Sequence, residues 1–358
     1  MISEKETTNK IERIAKEIFN SIDFVEILEA IACREGSFAN WIPDLQMCVQ
    51  ARNGTKYRII FEVKSTGQPR FARMAVNQLR EFISNRENIY GVFASTFISE
   101  DSQKICKDNS IGFLDLAGNC FFNFDNIYIS VEGRKNPYPT TRPLKTIFNS
   151  KSSRVLRVLL QNPGKLWFVK DLATEAKISI GQASLVKNRL LEYEYISPVK
   201  MGRKVKFKLV KWNKLLNEWA NNYSYKKNNI NSYYSIQDID KIENNIAKYF
   251  DSRKNNYAFT LTSGGSLVAP FLRYNTVFLY LQGNSGKLAK DLDFKKVDSG
   301  PNVSILEPYD GGIFYGLQKI DGKVVVSDIQ LYLDLINYKG RGEEAAEFLL
   351  EQRIREKW

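Results

Sequence analysis

The 358-residue chain contains no histidine. That absence excludes Ser-His-Asp triads, Cys-His nucleophile pairs, His-ligated zinc and imidazole acid–base chemistry. Carboxylates, lysine, tyrosine and a bound metal are what remain for catalysis. Cysteine is scarce: Cys33, Cys48, Cys106 and Cys120 form no C-x-x-C pair, so a zinc cluster is not expected. All four lie among apolar residues in the first third of the chain and read as buried, reduced thiols. No apolar run approaches the roughly 20 residues of a membrane span. The start, MISEKETTNK, is charged and helical in pattern, so no secretory signal is expected and a cytoplasmic protein is.

Positive charge is plentiful. Lysine and arginine number 52 against 40 aspartates and glutamates, a net charge of +12. The excess concentrates between Lys145 and Lys214, which points to a polyanionic partner, most often nucleic acid. A hydrophobic content of 43%, with 13% aromatic residues, is ample for folded cores, and the length suggests two or three domains.

Two stretches carry candidate chemistry. Ile42-Pro43-Asp44-Leu45 and Ile59-Ile60-Phe61-Glu62-Val63-Lys64 both read as strands, with Asn53-Gly54 as a turn between them. On a strand, residues i and i+2 share a face, so Glu62 and Lys64 emerge side by side. Asp44, at the end of the neighbouring strand, reaches the same spot. Two carboxylates and a lysine at a sheet edge suit a hard divalent cation beside a phosphate. The bland alternative is an exposed aspartate near a solvated Glu–Lys pair. A helix over 4–22 and a strand over 23–34 precede the motif. A basic amphipathic helix over 70–84, with Gln78 facing in, follows it, and then a buried strand over 89–97.

Pro43-Asp44 followed by Glu62-Val63-Lys64 in this α-β-β-β-α-β order resembles the PD-(D/E)xK nuclease superfamily. The resemblance implies that Asp44 and Glu62 hold Mg²⁺ or Mn²⁺, that Lys64 orients or activates the attacking water, and that Gln78 belongs to the same catalytic group. It also offers Glu17 on the first helix as a further metal-site acid, against the reading of a solvated surface glutamate. Asp115 lies in a strand–turn–strand run from Ile111 to Phe122. It reads as a hydrogen-bonded turn acid, or else as a member of the acidic site.

After a linker at 134–148 come helical patterns over 152–160, 169–176 and 182–193. Two β-like pieces, 196–201 and 205–210, then flank the basic turn Gly202-Arg203-Lys204. That order is a winged helix–turn–helix, and the run from Ser179 to Leu191 resembles the recognition-helix region of bacterial winged-helix regulators. The resemblance implies that Ser179, Gln182, Ser184, Lys187 and Asn188 face the major groove of double-stranded DNA, with Arg189 on phosphate. Arg203, Lys204 and Lys206 would meet phosphates or the minor groove. The alternative use of such a module is protein–protein contact.

Residues 224–235 are polar, aromatic and low in complexity and read as a second linker. Beyond them Thr262-Ser263-Gly264-Gly265-Ser266 reads as a phosphate-cradling or simply tight turn before a helix at 267–271. A hairpin is expected across Asp321-Gly322. Leu261–Gly265, Gln330–Leu335, Gly340–Ala346 and Asp115–Asn119 resemble segments of AbiEi-type antitoxins of type IV toxin–antitoxin systems. That family pairs winged-helix DNA binding and operon autorepression with neutralisation of a nucleotidyltransferase-type toxin.

The sequence therefore predicts an α/β multidomain protein with a PD-(D/E)xK restriction-endonuclease-like domain (1–133), a winged helix (149–223) and a C-terminal α/β domain (236–358). The expected function is DNA-binding regulation of the AbiEi antitoxin type. The alternative is a Mg²⁺-dependent DNA endonuclease targeted by the winged helix. Double-stranded DNA and a nucleotidyltransferase-type toxin are the expected partners, no membrane is, and homo-oligomerisation stays open.

Overall fold

The computed structural model describes residues 3–32, 41–84, 86–137, 147–251, 253, 257–270 and 273–358. Cys33, residues 138–146 of the expected first linker and Phe271 lie outside the described residues. The chain divides into two compact units: Met1–Pro143 with Leu191–Glu194, and Leu144–Leu190 with Tyr195–Trp358.

The first unit runs α1 (Glu4–Asn20), β1 (Val25–Ala32), β2 (Leu45–Ala51), β3 (Lys56–Lys64), α2 (Pro69–Ile83), β4 (Ile89–Ser95), α3 (Glu100–Asp108), β5 (Gly112–Asp115), β6 (Cys120–Phe124) and β7 (Ile127–Val131). Its seven strands lie in sequence order. β1–β2–β3 are antiparallel, β3–β4–β5 parallel and β5–β6–β7 antiparallel. The β2–β3 turn follows the Asn-Gly signal: Gly54 sits at φ +82°, a left-handed conformation glycine adopts without strain, and the Thr55 N–H donates to Asn53 Oδ1 at 2.9 Å.

This sheet is covered on both faces, which explains the nearly continuous apolar run of β3. Ile59, Phe61 and Val63 pack with Ile11, Ala15 and Phe19 of α1. Ile60 packs with Ala72, Ala75, Val76 and Leu79 of α2. Cys106 and Cys120 are buried and unbridged, and burial pushes their thiols up to about 12 and about 11.

The second unit opens with α4 (Ser150–Leu160), α5 (Val169–Glu175), α6 (Ile180–Glu192), the antiparallel ribbon β8 (Ile196–Met201) and β9 (Lys204–Leu209), and α7 (Trp212–Asn222). Trp167 adds a short third edge to the ribbon through two backbone hydrogen bonds with Phe207. It continues through β10 (Asn229–Tyr234), α8 (Ile239–Asp251), β11 (Tyr257–Phe259), α9 (Leu261–Val268), β12 (Val277–Leu281), α10 (Ser285–Asp291), β13 (Lys295–Lys296), β14 (Val303–Glu307), β15 (Gln318–Ile320), β16 (Lys323–Val325), α11 (Asp328–Ile336) and α12 (Gly342–Leu349). The strands form a mixed sheet in the order β13-β10-β14-β12-β11-β16-β15, and β15 and β16 turn at Asp321-Gly322 as expected.

Three expectations change here. The stretch expected as the second linker, 224–235, supplies strand β10, whose backbone pairs with both β13 and β14. The glycines of Thr262–Ser266 lie inside α9 rather than in a turn before a helix. A Cβ on Gly264 would stand 2.9 Å from the Phe259 carbonyl oxygen, so glycine there permits close helix–strand packing and not a phosphate cradle. The helical segment and the C-terminal sheet, expected as separate domains, share one compact unit.

The tie between the helices and the sheet is polar and buried. Arg157 on α4 is fully enclosed, with its guanidinium over the Trp219 ring of α7. It donates from Nε (3.2 Å) and Nη2 (2.6 Å) to Gln330 Oε1, and from Nη1 to Ser153 Oγ (2.9 Å). Gln330 Nε2 in turn donates to Asp334 Oδ1 at 2.9 Å. Asp334 also accepts from Tyr223, Tyr280 and Thr260. A glutamine thus bridges a buried guanidinium and a buried carboxyl group. Arg154, one turn away on α4, adds a bidentate pair with Asp310 at 2.8–3.0 Å.

Replacing Gln330 with leucine would take from buried Arg157 its two hydrogen bonds to Oε1 and from Asp334 one of its four donors. The expected loss is about 3–5 kcal/mol of this unit's stability, read by urea unfolding through the buried Trp219. A loss below about 1 kcal/mol would remove the bridge as the tie.

Candidate functional site

Asp44 extends the β2 ladder by one step: its N–H donates to the Phe61 carbonyl at 3.0 Å, just beyond the Leu45–Phe61 pair. Its Oδ2 accepts from the Val63 N–H at 2.7 Å. Glu62 and Lys64 lie on the α2 side of β3, and the Lys64 ammonium contacts Glu62 Oε1 directly. Glu62 is only 2% exposed, whereas Lys64 keeps part of its side chain in water. Gln78 of α2 faces in. With its amide oriented to match its neighbours, it donates to Glu62 Oε1 and accepts from Trp41 Nε1, both at 3.1 Å. Asp44, Glu62, Lys64 and Gln78 therefore converge at the carboxyl end of β3.

The electrostatics are unbalanced. Burial raises the Glu62 carboxyl above its ordinary range; the Lys64 hydrogen bond and charge pull it down, and Asp44 and Glu4 push it up again. Burial also raises Asp44, only partly offset by the Val63 N–H and Lys64. Burial pulls Lys64 down, but the Glu62 hydrogen bond and the nearby carboxylates outweigh it and hold it above its ordinary value. Two carboxylates thus share one ammonium.

Among the described residues no group of three or more Asp, Glu, Cys or His converges as a metal cage. Two hard oxygen donors with surplus negative charge fit a cation whose coordination is completed by water and phosphate, as Mg²⁺ prefers. Glu17 does not join the site: it pairs with Arg13 on the exposed side of α1, as Glu12 does with Lys16. The α1 acid whose charge reaches the site is Glu4. Sequence reasoning missed Trp41, which joins through Gln78 from a segment without periodic or motif signal. Asp115 is the hydrogen-bonded turn acid, accepting from the N–H groups of Ile98, Ala117 and Asn119 and from the Asn119 amide.

In the second unit, Ser179 Oγ accepts from the Gln182 N–H at 3.2 Å at the start of α6. Ala183, Val186 and Leu190 of α6 are buried, while Ser184, Lys187 and Arg189 are half-buried and Asn188 is exposed. Gln182 is turned toward α4, its Nε2 donating to Ser152 Oγ at 2.9 Å, so its amide is engaged within the fold. Arg203 and Lys204 are exposed at the ribbon turn, where Gly202 adopts φ +61°, and Lys206 lies over the Phe168 ring. Lys151 and Lys177, which sequence reasoning passed over, line an open cavity with Ser179 and Gln182.

Residues 208–355 match the family described as "Transcriptional regulator, AbiEi antitoxin, Type IV TA system". The AbiEi match begins in β9 and takes in α7 and the whole C-terminal sheet; α4, α5 and α6 precede it. No curated protein matches the chain. Among solved structures, the apo form of EndoMS is similar at 12% identity with a TM-score of 0.20, over 29% of this chain and 45% of that one. A likeness of that size says nothing about function. No described helix is long and apolar enough to cross a membrane.

Because Asp44 and Glu62 are raised in the folded chain, their contribution to stability is most favourable below the ordinary carboxylate range. It is lost as pH rises through their raised values. Asp44→Asn keeps an acceptor for Val63 and removes one of the two like charges. It is expected to stabilise the fold at neutral pH by roughly 0.5–1 kcal/mol and to shrink the gain on acidification. Thermal unfolding across a pH series checks both; a lower unfolding temperature at neutral pH would contradict the charge imbalance.

Proposed function

We propose that this chain is a DNA-binding regulator of the AbiEi antitoxin kind, holding duplex DNA with α6 and the β8–β9 ribbon of a winged helix–turn–helix. The observation that carries the reading is the AbiEi match over 208–355, in a segment built into one compact unit with three helices and a basic ribbon. The net charge of +12 favours a polyanion as partner. Arg203 and Lys204, exposed at the ribbon turn, would take phosphates, and Ser184, Lys187 and Asn188 would face the groove. A nucleotidyltransferase-type toxin is the expected protein partner.

A second reading is supported by one specific observation: Asp44, Glu62, Lys64 and Gln78 gather at one strand end. In that reading the first unit is a PD-(D/E)xK-like fold that cuts DNA. Asp44 and Glu62 would hold Mg²⁺ or Mn²⁺, which when bound would acidify water and offset phosphate charge. Lys64 would orient water or a phosphate oxygen with its ammonium. Gln78, braced by Trp41, would fix the Glu62 carboxylate.

Arg203→Ala combined with Lys204→Ala is expected to weaken duplex binding uniformly and to lower the salt slope by about one to two units, one per lost phosphate contact. An unchanged slope removes the ribbon from the interface. Incubation with plasmid and single-stranded DNA, with Mg²⁺ or Mn²⁺ against EDTA, separates the two readings. Under the regulator reading, binding is salt-sensitive and nothing is cut. Metal-dependent cutting that disappears in Lys64→Ala would make the chain an enzyme.

A further inference from the structure

Gly181 stands in the first turn of α6, exposed, on the face opposite Ala183, Val186 and Leu190. Its φ is not in the left-handed region that favours glycine, and a Cβ built on it meets nothing within 4 Å. Neither backbone conformation nor packing within the chain calls for glycine there. At about 100° per residue, the exposed Gly181, Leu185 and Asn188 and the half-buried Ser184 lie along one face of α6. Leu185 is 51% exposed and Ile180, at the helix start, 55%. An uncovered leucine beside a glycine with open space marks a surface shaped for something outside the chain. Lys187 on the same helix is half-buried, and Lys200, Arg203 and Lys204 of the ribbon are exposed, so this unit presents positive charge to a polyanion.

A partner that is polyanionic at its rim and apolar at discrete points within is the DNA major groove, where each thymine presents a C5 methyl group. We infer that α6 meets base edges through this stripe, with Gly181 at the closest approach and Leu185 against a thymine methyl. Asn188, three residues further along the same face, is spaced for the adenine edge of a nearby A·T pair, which asparagine reads through N6 and N7. The inference rests on the DNA-binding reading and adds to it the feature recognised: a thymine methyl, read by contact rather than by a hydrogen bond.

The test uses the full-length chain and duplexes it selects from a random-sequence library. Each selected duplex is then made with thymine or with deoxyuridine, which lacks only the methyl. For the wild type, uracil at the contacted step is expected to weaken binding about fourfold, the value of burying one methyl. L185A should bind both duplexes alike. G181A should unfold at the same or a higher temperature than the wild type, because alanine favours the helix, yet bind the selected duplex several-fold more weakly; a merely structural glycine would show the reverse. Equal wild-type affinity for thymine and uracil duplexes, or unchanged binding by G181A, overturns the inference while leaving DNA binding in place. So does a change of oligomeric state in L185A with the thymine preference intact, which would give the face to a second copy. Absence of salt-sensitive duplex binding by the wild type overturns both readings.

Discussion

A guanidinium sealed away from water must find partners inside the fold, and much of the second unit is arranged around that requirement. Burying a charged side chain is costly unless it finds partners, and Gln330, Ser153 and the Trp219 face surround Arg157. Gln330 accepts from the cation with its oxygen and donates to the Asp334 carboxylate with its nitrogen. Side chains from α4, α7, β12 and α11, together with Thr260 after β11, meet in this one network. Gln182 then fastens α6 to α4 through Ser152. The helix proposed to read DNA is thereby anchored, through α4, to the fold that carries the AbiEi match.

The first unit solves a different problem. Its central sheet is covered on both sides, so the stretch Ile59–Val63 of β3 has no solvent-facing side on which to place a charge. Glu62 is nevertheless there, and its burial raises its carboxyl even with Lys64 in contact. A fold tuned only for stability would not keep two carboxylates against one ammonium at a strand end. Such a surplus fits a site meant for an additional cation, and it is the physical content of the nuclease-like reading.

Much of this was legible from local pattern. Alternation along β3 put Glu62 and Lys64 on one face, the Asn-Gly turn set the β2–β3 hairpin that brings Asp44 to them, and the helical period of α2 turned Gln78 inward. Three helical patterns and a basic ribbon were likewise visible from period and turn chemistry alone. These features depend on neighbours a few residues apart, and backbone geometry imposes them wherever the chain finally packs.

What the sequence could not decide depended on long-range pairing. The polar, tyrosine-rich stretch 229–234 looks like a linker until β13 and β14 flank it and take up its backbone hydrogen bonds. The paired glycines of α9 look like a loop until Phe259 and Leu331 are seen pressed against Gly264. Trp41 enters the acidic site from a separate segment, and Asp115 is resolved as a turn acid only by the amides that converge on it. Whether a polar or small residue is solvated, structural or functional is set by groups distant in sequence. Composition and spacing thus determined the basic character, most of the elements and the convergence of Asp44, Glu62 and Lys64. Only the tertiary structure decided which segments share a core and where burial leaves charge unbalanced, because desolvation depends on every neighbour in space.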